Sequence, residues 1–296
     1  MSGAAALRTP GVADANPAWL IAFAGYALMY LPVYWSATHG IWQTDENGHG
    51  PLILAVIVWL FWTLRQPIAR APSRPAPIAG WTLFVSGLLV YVVGRAFEIS
   101  SLEFGSHVFV VAGALLLMKG MPALRAAWFA VAYLVFLVPL PATLVDAVTG
   151  PLKQWISVIV QNMLFWVGYP ISNSGVILTI GQYQLMVADA CSGLNSMFSL
   201  SALGTLFMYL MNRQSRWHNA VMLASILPIA FAANIVRVIT LVLVTYHLGD
   251  EAGQGFLHGA AGMALMIVAL FIFFVLDAAL ASLLGTRAPR GAAPAR

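Results

Sequence analysis

Eight apolar runs, at roughly 18–36, 50–65, 77–95, 99–118, 122–140, 191–212, 219–248 and 256–284, fill most of this 296-residue chain. Each is near the length of about 20 residues that an α-helix needs to cross the hydrocarbon of a bilayer. In lipid, every backbone N–H and C=O must find its partner within the protein, so helices and closed barrels are the spanning structures available. The pattern therefore predicts an all-α polytopic membrane protein with about eight transmembrane helices. Charged residues, 8% of the chain, are far fewer than the roughly 25% of soluble domains. No polar stretch is long enough for a separate soluble domain. Residues 1–17 read as a cytoplasmic N-terminal tail, 18–285 as one membrane domain and 286–296 as a basic cytoplasmic tail. The first run lacks a small-x-small cleavage pattern and is expected to stay as an anchor.

Two stretches break the repeat. Residues 141–169 have helical character but are interrupted by Asp146, Pro151, Lys153 and Gln154, which predicts an amphipathic segment lying on one interface or re-entering it. Residues 170–190 alternate apolar and polar positions around Gly175 and Gly181. This predicts a short extended, hairpin-like segment on the outer face that leads into Cys191.

Lys and Arg are retained on the cytoplasmic side of a membrane. With the N-terminus inside, that side receives Arg8, Arg65, Arg70, Arg74, Lys119, Arg125, Arg213, Arg216, Arg287, Arg290 and Arg296, eleven of the fourteen basic residues. Asp45, Glu46, Glu98, Glu103, Asp146, Asp189, Asp250 and Glu251 fall on the other side, eight of the ten acids. The same count favours eight crossings, because a ninth through 141–169 would carry Arg213 and Arg216 outside. The net charge of +4 thus reports topology. The basic residues form no patch for nucleic acid, and membrane lipids are the expected surroundings. Trp19, Trp35, Trp42 and Trp166 fall near predicted interfaces, as an aromatic belt would. Pro139 and Pro141 read as the stop of the fifth run.

The chain has one cysteine. An internal disulfide and a cysteine-based metal site are excluded by count, and neither metal nor cofactor is expected. Cys191 stands in VADACSGLNS at the head of the sixth run, on the predicted outer face. A thiol must ionise to attack a carbonyl, and helix N-termini, Arg and protonated His favour the thiolate. Arg237 lies within an apolar run, where an ionisable residue is costly and therefore a functional candidate. Asn234 precedes it by one turn on the same face. His258 opens the last run between Gly255 and Gly259, at the same outer level. Imidazole can take the thiol proton and return it to a leaving amine, and guanidinium can stabilise an oxyanion. Ser192 and Gly193 leave room for a substrate backbone beside the sulfur, and His49 sits at the outer end of the second run, where substrate would enter. Asp189 would oppose a thiolate and reads as a helix cap or loop support. Glu98 and Glu103 are expected to pair with Arg95.

ADACSGL at 188–194, NIVR at 234–237 and FLHG at 256–259, with ENGHG at 46–50 and LVFLVPLP at 134–141, resemble the exosortase/archaeosortase family of membrane transpeptidases. The resemblance implies an enzyme of the bacterial inner membrane, in bacteria that make extracellular polysaccharide. Its substrates would be exported proteins with a C-terminal sorting signal: a Pro-Glu-Pro-type motif, a transmembrane helix and a basic cluster. It further implies Cys191 as nucleophile, forming a thioester acyl-enzyme, Arg237 as oxyanion holder or substrate orienter, and His258 as acid/base. An acceptor nucleophile that resolves the thioester is not identified by any residue. Two other readings stay open at this point. A plain intramembrane cysteine protease would give the acyl group to water, and a transporter would use Arg237 to bind an anion. The transporter predicts polar residues repeated through several spans and an inverted repeat, neither of which the sequence has.

Overall fold

A computed structural model describes residues 17–44, 47–186, 193–211, 215–249 and 256–284, with side chains described outside 17–18, 142–146, 148–149, 193–197 and 256–266. In chain order its elements are α1 (Pro17–Thr38), a 3-10 turn (Ile41–Gln43), α2 (Gly50–Arg70), α3 (Pro77–Ala96), α4 (Ser100–Met118), α5 (Met121–Ala126), α6 (Trp128–Tyr133) and a second 3-10 turn (Leu134–Leu137). Then come α7 (Ala142–Trp166), β1 (Ile171–Ser174), β2 (Ile177–Ile180), β3 (Tyr183–Met186), α8 (Gly193–Met211), α9 (Arg216–Leu248) and α10 (Phe256–Leu283). Among the described residues, five helical stretches are long and apolar enough to cross a membrane: Trp19–Gln43, α2, α3, α4 and α9. Shorter apolar helices cover Trp128–Leu137, Phe198–Met211 and Ile267–Leu283. Large apolar side chains such as Ile21, Phe23, Ile78 and Phe271 stand exposed, as lipid-facing residues do. The chain is a polytopic, all-α membrane protein.

The run predicted as one span over 122–140 is in fact three short pieces. Gly120, at φ +85°, and Pro122 at the first helical positions begin it afresh. Ala127 leaves helical geometry at φ −101°, ψ 7°. The chain turns extended at Val138, as the Pro139 and Pro141 rings demand of their neighbours. Trp42 is also not a belt residue, being buried against Tyr34 and Phe104.

The chain divides into two compact units, Met1–Thr44 with Trp59–Val131, and Asp45–Val58 with Ala132–Arg296. In the first, α3 and α4 form a tight hairpin. Gly80, Gly87 and Gly94 recur every seventh residue on α3, and a Cβ on them would come within 2.8, 2.8 and 2.7 Å of Leu117, Val110 and the Glu103 backbone nitrogen. Gly113 answers from α4 by admitting Phe84, whose backbone nitrogen would lie 2.6 Å from such a Cβ. Lipid tails are as apolar as leucine, so helices in a membrane gain by close backbone approach, which small residues permit. Glu98 closes the turn at φ 56°. With Ile99 N–H donating to the Gly94 carbonyl at 2.8 Å, this is a Schellman end in which a non-glycine takes the left-handed position.

In the second unit, α8, α9 and α10 share a core of Leu200, Phe207, Met222, Ile226, Ala230, Ala269 and Phe273. The C-terminal part of α9 carries a second core on a different face. There Val238 and Val242 meet Ile156, Val160 and Leu164 of α7 and Ile171, Leu178 and Ile180 of the sheet. Among the described residues, α7 is not one of the long apolar spans. It buries Ile156, Val160 and Leu164 and exposes Trp155, Phe165 and Trp166, the two-faced helix expected of 141–169.

The extended segment is a three-stranded antiparallel meander in the order β1-β2-β3. Its closing pairs, Ser174 with Ile177 and Ile180 with Tyr183, leave two-residue loops. Gly175 at φ 66° and Gly181 at φ 56° take the first loop position, and the residues after them keep negative φ, the type II′ pattern that suits strand twist. Ile171, Leu178, Ile180, Tyr183 and Leu185 face the core, whereas Ser172, Ser174, Gln184 and Met186 are exposed. Leu178 and Ile180 are fully buried, a gain of about 1.5–3 kcal/mol each over water exposure.

Candidate functional site

Helix α9 sets the level of the site. Its 33 residues span about 50 Å at 1.5 Å per residue, roughly 20 Å more than the hydrocarbon core. The sheet packs along its C-terminal part, at Val238, Val242 and Tyr246. Arg237 stands immediately before that contact, where α9 passes from the core it shares with α8 and α10 to the core it shares with α7 and the sheet. Its distance of about 16 Å from the helix end is depth within the protein, which lowers the cost of an intramembrane cation.

On α9, Asn234, Arg237, Leu241 and Thr245 form one stripe between the two cores, and all are buried: Asn234 to 1% exposure, Arg237 to 7% and Thr245 to 0%. The spacing of three and four residues keeps them on one face. Asn234 and Arg237 both make polar interactions. The hydroxyl of Thr245 finds no hydrogen-bond partner among the described residues. Tyr169, whose hydroxyl lies 3.2 Å from His247 Nε2, ties the end of α7 to the end of α9, and Tyr246 touches the turn at Gly181.

His49 occupies the turn ahead of α2 and belongs to the same unit as Arg237. Its ring lies 6.0 Å from that of Phe198 on α8, which in turn lies 5.2 Å from Phe136. It is a packed ring in an aromatic file and not a solvated loop residue, and burial holds its imidazole pKa below the ordinary histidine value. Gly193 is the first residue of α8, so Phe198 sits in the second turn of the helix that follows Cys191 in sequence. Cys191, Ser192 and Asp189 lie outside the described residues, as do the side chains of Gly193's neighbours in the first turn of α8. His258 is the third residue of α10, and its side chain lies outside the described residues. Arg95 pairs with Glu103, Nη1 to Oε1 at 3.5 Å, while Glu98 serves the turn.

Two buried polar clusters escaped the sequence reading. His218 Nε2 meets Asp277 Oδ1 at 2.8 Å with both side chains buried, tying the start of α9 to α10. The signal for it was the lone acid in the run 256–284. The second cluster, in the other unit, is built on Tyr26, Tyr30 and Tyr34, whose four-residue spacing on α1 was legible. Ser106 Oγ donates to the Glu103 carbonyl, so it accepts from Tyr30 at 2.6 Å. His107 Nδ1 faces the Phe104 carbonyl at 2.9 Å and must donate. The Nε2 of the neutral ring then accepts from Tyr34 at 2.8 Å, and Tyr34 accepts from Tyr26 at 3.0 Å. Among the described residues, no group of three or more His, Cys, Asp or Glu is placed to hold a metal ion.

Comparison with known proteins adds one positive finding. The family model of transmembrane exosortases matches residues 41–275, most of the chain, including Cys191, Arg237, His258 and His49. No curated protein and no solved structure matches.

Proposed function

Because the chain belongs to the transmembrane exosortase family, we propose that it is a membrane cysteine transpeptidase that processes C-terminal sorting signals of exported proteins. The observation that supports this reading best is the burial of Asn234 and Arg237 on one face of α9. A buried guanidinium is preorganised for negative charge in a site with little water, where electrostatic stabilisation is strongest.

In the proposed reaction the Cys191 thiolate attacks the carbonyl carbon of the scissile peptide bond, and Arg237 stabilises the resulting oxyanion. His258 delivers a proton to the leaving amine as the C–N bond breaks, which leaves the new N-terminus on the discarded transmembrane tail. The substrate remains as a thioester on Cys191. An acceptor nucleophile then attacks the thioester, giving its proton to His258 and releasing the thiolate. Asn234 orients the substrate carbonyl or the guanidinium, and Ser192, Gly193 and His49 line the approach. The site faces the periplasmic side of the bacterial inner membrane, both termini are cytoplasmic, and the tail carries a Pro-Glu-Pro-type motif, a transmembrane helix and a basic cluster.

The test is co-expression with an exported fusion bearing such a tail. Wild type shortens the fusion, and Cys191→Ala abolishes shortening; full processing by Cys191→Ala would end the nucleophile assignment. Mass spectrometry of the new C-terminus identifies the acceptor, a free carboxylate meaning water. An impermeant thiol reagent on intact cells, with a single cysteine to label, reports the side on which residue 191 lies.

A further inference from the structure

Strand β3 ends at Met186, five residues before Cys191, and among the described residues no strand pairs with its outer edge. In a two-residue hairpin the closing residues exchange both hydrogen bonds, and bonded and non-bonded pairs then alternate. From the register, Tyr183 and Leu185 spend their backbone groups on Ile180 and Leu178 of β2. The N–H and C=O groups of Gln184 and Met186 therefore point away from the sheet. Among the described residues, no hydrogen bond reaches them. The opposite edge is partly spent, since the outward N–H of Ile171 on β1 donates to the Tyr169 carbonyl at 2.9 Å.

Proteins normally blunt an open edge with lysine, proline, an inward charge or a bulge. β3 reads Tyr-Gln-Leu-Met. It has no charge and no proline, its pairing is regular, and Met186 is 46% exposed. The sheet packs on the C-terminal turns of α9, and Ser172, Ser174, Gln184 and Met186 stand exposed on it. At about 3.3 Å per residue, the chain from Met186 reaches Cys191 within roughly 17 Å. The edge is therefore within one short peptide's length of the thiol.

We propose that the outer edge of β3 is the docking site for the substrate polypeptide, which adds to the sheet as a fourth, extended strand. This inference rests on the reading of the chain as a peptide-processing enzyme. Its occupant is the water-exposed segment of the exported protein next to the scissile bond. Backbone pairing to Gln184 and Met186 supplies sequence-tolerant affinity, in the manner of β-strand addition, and leaves selection to side chains nearer the thiol.

Gln184→Pro tests the edge, because it removes one outward N–H and no ladder bond, and proline is tolerated in an edge strand at such a position. Loss of one backbone hydrogen bond corresponds to a rise in KM of about fivefold, with kcat retained, while Gln184→Ala stays close to wild type. Equal KM for Gln184→Pro and wild type, or an equal loss in Gln184→Ala, would overturn the proposal. Binding is read separately in the full-length Cys191→Ala protein in membranes, with a photo-crosslinking amino acid at 184 or, on the far strand, at 172. Capture of the tail substrate from 184 in preference to 172 supports the edge, even if wild type processes no tail and the enzymatic reading falls. Capture from 172 and not from 184 overturns it, whatever the activity.

Discussion

Each unit buries a group of polar side chains, and beside the His218–Asp277 pair the second unit also buries a cation. In the first, Tyr26, Tyr34, His107, Tyr30 and Ser106 form chains whose every proton has a direction and which end on the backbone carbonyls of Phe104 and Glu103. A network completed inside the protein holds helices in register and offers nothing to a ligand. In the second, Asn234, Arg237 and Thr245 lie along one buried stripe of α9, the helix on which the sheet packs. Burial alone therefore does not distinguish the two groups; what does is the buried cation, Arg237, which the first network lacks.

The largest effect that separates the two regions is expected at Arg237. Arg237→Lys keeps a positive charge but loses the planar fork, and processing should fall by about a hundredfold or more while the protein accumulates in the membrane. Near-normal processing would make Arg237 a structural cation and erase the contrast. In the first unit, Gly87→Leu drives a side chain into Val110 and Phe109 and should destabilise by about 3 kcal/mol or more. That would be read as loss of folded protein with processing per folded molecule retained. A smaller loss, about 1–3 kcal/mol, is expected of His107→Phe, which keeps the ring packing and strands the Tyr34 hydroxyl. If His107→Phe abolished processing in a protein of wild-type stability, the first network would be part of the chemistry. The smallest effect is a gain. Glu98→Gly relieves the left-handed position and should stabilise by about 1 kcal/mol, visible as a raised unfolding temperature in detergent with unchanged activity.

Much of this was legible from residue order. Runs of about 20 apolar residues announce membrane helices because lipid offers no other way to satisfy a backbone. Gly175 and Gly181 placed the turns of the meander within an alternating segment, since a left-handed first loop position selects glycine. Arg237 stood out as a cation in an apolar run, and Arg95 did find Glu103. The break at 127 within the fifth run was not legible, because apolar composition says nothing of where helical geometry lapses.

Residue order by itself determined the membrane class and the candidate Cys-Arg-His set, because these depend on composition and on the cost of charge in lipid. Only the tertiary structure decided which polar groups are already spent. The heptad of glycines became a helix interface when Leu117, Val110 and Glu103 of α4 filled the space it leaves. His49 became a packed ring by meeting Phe198. Arg237 became a residue flanked by two cores because the sheet and α7 pack on Val238 and Val242 while α8 and α10 pack on Ala230 and Ala233. Each of these rests on contacts between residues far apart in the chain, and local sequence carries no distance between them.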